Sequence, residues 1–215
     1  LSTYQKIYRV IQPQALWILI LFHIVGLIGI TVIDLNLFAG LSALNLLLSA
    51  FLIYVDHEGS YKKFWRLFGI VFLIGYFIEL IGITTGYPFG IYEYGLNLGP
   101  KLLGVPVVIG VNWFLLTISC GFVSQHIFEN RKIRLLSAAL LMVFIDFLIE
   151  PVSDELGYWF WADGYVPARN YLGWFVVAYI TQVVFQKTVS THINNIAVKY
   201  FFIVLGFFIL LNLFI

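Results

Sequence analysis

Charged side chains are scarce in this chain: Asp, Glu, Lys and Arg make up 11% of 215 residues, and the formal net charge is +1. A soluble globular chain carries roughly 25%. An ordinary soluble fold is therefore excluded, and so small a net charge gives no hint of nucleic acid as a partner. The single cysteine, Cys120, rules out an internal disulfide, and its expected role is packing as a small buried residue. The four histidines, His23, His57, His126 and His192, show no ligand spacing, so no metal site is expected. A Gly-rich phosphate loop, a nucleophile elbow and a dinucleotide fingerprint are all missing. No linker, charge block or low-complexity tract divides the chain, which reads as one domain over residues 1–215.

What is there instead is apolar length. Hydrophobic residues reach 61%, and the mean hydropathy is +0.96. Runs of about 20 apolar residues mark membrane helices, and seven are read here, over 14–33, 36–55, 65–83, 105–125, 133–152, 171–187 and 196–215. They are too uninterrupted for barrel strands. The expected fold is all-α: a single seven-helix transmembrane domain. A very short turn around Asp34 joins the first two spans. The first span is too long for a signal peptide, lacks a small-residue cleavage site and leads straight into the second. The chain begins at Leu1 without Met, so further residues are expected to precede it.

Basic residues orient the spans. One set of loops holds Lys6, Arg9, Lys62, Lys63, Arg66, Arg131, Lys132, Arg134, Lys187 and Lys199; the other holds only Lys101 and Arg169. By the positive-inside rule the N-terminus is cytoplasmic and the C-terminus outside, in the cell membrane. A retinal protein needs a lysine mid-membrane in its last span. Lys199 lies near the inner end of that span, and Phe201 to Ile215 contain no other lysine, so a Schiff-base photoreceptor is disfavoured.

The most informative polar residues are acids inside apolar runs. Asp146 and Glu150 share one helix face in the fifth span at i, i+4 spacing. Glu79 lies about four residues, or ~6 Å, inside the outer end of the third span. A charge at bilayer depth costs about 2.5–3.5 kcal/mol on insertion scales, so such residues pair or function. Asn112 enters from the same side in the fourth span, and all four fall in one layer. Each has a structural alternative: an interfacial carboxylate in water for Glu150, a hydrogen bond between helices for Glu79, a pairing for Asp146 and helix-to-helix glue for Asn112. His23 and Asn45 are expected to bond between helices, and Arg169 to anchor in the headgroups or to pair with Asp154, Glu155 or an embedded acid.

Two long outer loops, 84–106 and 151–171, are rich in aromatics and punctuated by Gly and Pro. They suit an aromatic belt at headgroup level, a folded lid over a pocket, or both. Spans three and five each end in a carboxylate followed by such a loop, a single correspondence that is weak as an internal repeat. In an apolar chamber one member of a close carboxylate pair is expected to keep its proton, which makes it a general acid.

These segments resemble the carotenoid-biosynthesis family of integral membrane proteins that contains the CruF-type carotenoid hydratases. The resemblance rests on Glu79 followed by Gly86-Tyr87-Pro88-Phe89-Gly90-Ile91-Tyr92, on Val105-Pro106 leading to Asn112-Trp113, and on Asp146 through Glu150-Pro151-Val152 to Tyr158-Trp159. It covers roughly residues 65–175; the flanking spans match in hydropathy alone. It implies hydration of the terminal C1,C2 double bond of an acyclic carotenoid end group, on gamma-carotene, lycopene or bacterioruberin-precursor pigments. Protonation at C2 gives a tertiary cation at C1, which water captures, with no redox cofactor or metal required.

On this basis Asp146, the deepest acid, is the leading proton donor. Glu79 and Glu150 share the donor, water-positioning and cation-stabilising roles in an open order, and Asn112 is a second candidate to position water. Tyr87, Tyr92, Trp113, Tyr158 and Trp159 are candidates for an aromatic wall, and Arg169 for a further substrate contact. Competing expectations are a non-catalytic carotenoid or lipid binder acting with pigment-synthesis partners, a small-solute or proton transporter, and an isomerase or cyclase on the same substrate. Product analysis separates them. The oligomeric state is left open.

Overall fold

A computed structural model describes residues 11–189 and 193–215. Lys6, Arg9 and His192, used above for orientation and ligand spacing, lie outside the described residues. The chain is mostly helical. A 3₁₀ turn at Gln12–Gln14 leads into α1 (Ala15–Ile28), which continues through a π turn at Gly29–Ile33. Asp34 is extended, and its carboxylate accepts from Leu37 N to cap α2 (Leu35–Ala39), which runs on into α3 (Ser42–Val55). Then follow α4 (Tyr61–Thr85), α5 (Val108–Ile127), α6 (Arg131–Ser153), α7 (Ala168–Thr188) and α8 (Asn195–Phe214). Gly86, at φ +73°, stops α4 in the left-handed conformation that costs glycine least. Asn130 and Asn194 cap α6 and α8 with side-chain acceptors.

Among the described residues six helical stretches are long and apolar enough to cross a membrane: Gln12–Ile33, Leu35–Val55, α4, α5, α6 and α8. The sequence led to an expectation of seven. The other long helix, α7, is diluted by Asn170, Thr181 and Gln182, which are buried against its neighbours. The Thr117 hydroxyl lies 3.0 Å from that of Thr181, and Gln182 Nε2 donates to the Thr117 carbonyl at 2.9 Å. Polar side chains on α7 thus turn inward and bond to α5 and α6 inside the bundle.

The hub is α5. In its most apolar stretch 89% of residues are buried, against 22–50% in the other five crossing stretches. It packs against α3, α4, α6, α7 and α8, as expected of a helix that is apolar on every side. Gly75 of α4 makes one of these approaches possible, since a Cβ there would lie 2.4 Å from Trp113 Cγ. At the opposite end from the long loops, Asp56 accepts from Ile196 N at 3.0 Å and Asn194 Nδ2 donates to Ile53 O at 2.8 Å, tying α3 to α8.

The two aromatic loops form a folded cap. Strands β1 (Tyr92–Tyr94) and β4 (Trp159–Trp161) pair antiparallel, with Tyr92 opposite Trp161 and Tyr94 opposite Trp159. Between them in sequence, β2 (Lys101–Leu102) and β3 (Val105–Pro106) make a small hairpin. Strand alternation sends Tyr92 and Tyr94 inward and Glu93 outward.

The packing at Gly75 yields a test. Gly75→Val forces backbone or indole movement and is expected to destabilise the protein by about 1–3 kcal/mol, typical of overpacking. Gly69→Ala, with nothing within 4 Å of the added carbon, should melt at or above the wild-type temperature. Thermal unfolding in detergent, followed by loss of monodisperse elution, checks both.

Candidate active site

Four helices and the cap deliver polar groups to one chamber with about 420 Å³ of empty space. Glu79 comes from the last turns of α4, Asn112 and Trp113 from the first turns of α5, and Asp146 and Glu150 from the end of α6. The start of α7 adds Asn170 and Trp174, and the cap supplies Tyr92, Tyr94, Trp159 and Trp161. The i, i+4 spacing that puts Asp146 beside Glu150 also puts Asn170 above Trp174. Antiparallel helix directions bring these ends into one layer.

Each glutamate is held by the strand that follows it in sequence. Glu79 Oε2 accepts from the Tyr92 hydroxyl in a very short contact and from the Tyr94 hydroxyl at 2.8 Å. Its Oε1 accepts from Trp113 Nε1 at 3.0 Å. Glu150 Oε2 accepts from Trp159 Nε1 at 3.0 Å and Trp161 Nε1 at 2.9 Å. Burial first, and then the adjoining Glu79, push both phenols upward from their ordinary value, so Tyr92 and Tyr94 stay protonated donors.

Asn170 bridges the remaining pair. Its Nδ2 donates to Glu150 Oε1 at 2.9 Å and to Asp146 Oδ2 at 3.1 Å, which uses both amide hydrogens. Asp146 Oδ1 is buried and has no hydrogen-bond partner among the described residues. Each glutamate thus receives three donors and Asp146 one. The chamber wall is aromatic: Trp113 and Trp174 stack with centroids 4.1 Å apart and planes at 16°, and Phe89 is buried beside Tyr92. No Lys, Arg or His lines it among the described residues.

Of the residues singled out from sequence, Glu79, Asp146, Glu150, Asn112, Tyr92, Trp113 and Trp159 line this chamber. Glu150 is 5% exposed, so its carboxylate is inside the protein and not at an aqueous interface. Tyr158 lines an adjoining cavity instead, with its hydroxyl 2.6 Å from Ser42 Oγ. Tyr87 and Arg169 are not brought to the chamber: Tyr87 is 67% exposed, and the Arg169 guanidinium lies over its ring, 5.2 Å from the centroid. That cation–π contact, rather than an acid, is the partner found for Arg169.

Sequence reasoning missed Asn170, Tyr94, Trp161 and Trp174. The alternation Tyr92-x-Tyr94 and Trp159-x-Trp161 was a signal for the strand residues, because period-two aromatics face one way. Asn170 gave none, standing beside Arg169 at the polar start of α7.

A curated relative, the bisanhydrobacterioruberin hydratase of Haloarcula japonica, is 33% identical over 122 residues, a stretch covering 53% of this chain and 42% of that protein. The chain thus matches less than half of that relative's length. No solved structure matches it. The family described as carotenoid biosynthesis protein matches residues 20–215, from within α1 to the end of α8, and so takes in every side chain of the chamber. The chain belongs to the carotenoid biosynthesis protein family.

Proposed function

We propose that the chain is a carotenoid hydratase that adds water across the terminal C1,C2 double bond of an acyclic end group. The observation that carries this reading is the unequal donor supply among three acids in one chamber. Glu79 and Glu150 each accept three hydrogen bonds, an arrangement that an ionised carboxylate accepts in full. Asp146 Oδ1 has none and is the position for a carboxylic O–H. The hydratase activity named for the Haloarcula japonica relative points the same way.

The reaction follows from that placement. Asp146 transfers its proton to C2 of the trisubstituted alkene, the π electrons form the new C–H bond, and a tertiary cation remains at C1. Stacked Trp113 and Trp174 offer aromatic faces to the cation, worth about 2 kcal/mol or more when desolvated, and the carboxylates add electrostatic stabilisation. A lining without basic side chains sets no positive charge against it. Water held by Asn112 attacks C1, and the released proton returns to the Asp146 carboxylate, so the net change is one water added.

The polyene enters from the lipid. In this reading α7 crosses with the six more apolar stretches, its polar residues turned inward, and the N-terminus lies on the cytoplasmic side of the cell membrane. A transporter would need a polar path through both leaflets, whereas the acids gather under the cap at one end.

Expression in a host that accumulates gamma-carotene or lycopene should yield a pigment heavier by one water. Recovery of the unaltered pigment would favour the binder, and an isomer or ring-closed product of the same mass another cation chemistry. Asp146→Asn keeps an acceptor for Asn170 and should fold normally while losing about 10²-fold or more of product formation; near-wild-type turnover would remove Asp146 from the mechanism. Glu79→Gln sets an amide N–H against hydroxyl and indole donors. It should lower thermal stability by about 1–3 kcal/mol as well as activity, so melting curves separate the two variants.

A further inference from the structure

A second cavity, of about 670 Å³, adjoins the acid chamber and shares Ile109, Asn112, Ile149 and Trp159 with it. From Ile109 its wall continues along α5 to Leu116, roughly 10 Å at 1.5 Å per residue. The Asn112 amide makes no protein hydrogen bond among the described residues and stands where the two spaces meet. An elongated ligand with one end in the chamber therefore has a mostly apolar space to continue into.

His23 of α1 and Asn45 of α3 both line this second cavity. His23 Nδ1 is 2.8 Å from the Leu19 carbonyl. A carbonyl only accepts, so Nδ1 carries the ring proton and Nε2 is left as an acceptor. Asn45 Nδ2, 3.5 Å away, is the group able to donate to it. That fixes the amide orientation and leaves Asn45 Oδ1 as a buried acceptor without a partner. A buried carbonyl oxygen left unmade costs free energy that a donor on a ligand recovers.

We propose that the second cavity binds the arm of the isoprenoid substrate, and that Asn45, oriented by His23, accepts a hydrogen bond from a hydroxyl on that arm. The ligand class is then a long acyclic isoprenoid carrying an alcohol, with the reacting alkene in the acid chamber. This rests on the hydratase reading for the identity of the reacting end, but not for the binding itself.

The test is binding to full-length protein in detergent, in the Asp146→Asn background so that no turnover intervenes. The probes are lycopene and a lycopene bearing one tertiary hydroxyl within about 10 Å of a terminal alkene, the reach of the second cavity along α5, read by quenching of tryptophan fluorescence. The hydroxylated probe should bind roughly five- to tenfold more tightly, the range of one net hydrogen bond. Asn45→Leu should abolish that preference while leaving lycopene binding in place. Leu46→Trp, which fills the cavity from α3, should weaken both probes and guards against a misfolded Asn45 variant. Equal binding of the two probes to protein with Asn45 intact, as when water satisfies the amide, would overturn the proposal, as would a preference that survives Asn45→Leu or full binding in Leu46→Trp. Failure of the hydratase reading shows separately, as unchanged pigment mass in the expression host with the binding preference intact.

Discussion

Glu79 accepts hydrogen bonds from Tyr92, Tyr94 and Trp113, and through them one buried carboxylate joins α4, the cap strand β1 and the central helix α5. Hydrogen bonds to a charged acceptor contribute about 1.5–3 kcal/mol each. Losing one partner would leave a desolvated group in an apolar interior. The contact also requires α4 to lie close on Trp113, which Gly75 allows. Glu150 repeats the arrangement on α6 with Trp159 and Trp161 of β4. Because β1 and β4 pair with each other, the two acids are linked through the cap, and bundle and cap are joined as one hydrogen-bonded unit.

That unit leaves Asp146 in an unusual position. It is fully buried beside two acids whose donors are already supplied, and it shares only Asn170 with Glu150. Aromatic faces surround it, and lining without cationic side chains suits chemistry that passes through a carbocation. Asn112 lines both the chamber and a second, larger cavity. A polar layer under the cap thus adjoins a larger, mostly apolar cavity. Family membership places the protein in carotenoid biosynthesis, and in the proposed reaction the chamber supplies the reactive groups.

The helices were legible to within a few residues because six of the stretches are long apolar runs. The largest difference is at α4, which starts at Tyr61, ahead of the span read from 65: its first turn is Tyr61-Lys62-Lys63-Phe64, and lysine stems lie along apolar surface while their charges reach water. The three acids and Asn112 were found as polar interruptions of hydrophobic runs, and the structure brings them to one chamber. The cap was visible as aromatic loops, yet the pairing of Tyr92 with Trp161 was not, since register between strands far apart in sequence depends on how the helices beneath them are placed. Tyr87 and Arg169 looked like site residues by proximity in sequence and are at the surface instead.

Hydrophobic length, the position of each acid along its helix and the faces they share were determined by the sequence alone, because a helix has a fixed rise and period and a membrane span needs a set apolar length. Which donors reach which carboxylate was decided only in three dimensions. Asn170 lies 24 residues from Asp146 and 20 from Glu150, and nothing local to α7 announces its partners. Whether a buried acid is saturated with donors or left one oxygen free depends on side chains from other helices arriving at bonding distance. That is a property of packing, and in this protein it distinguishes Asp146 from Glu79 and Glu150.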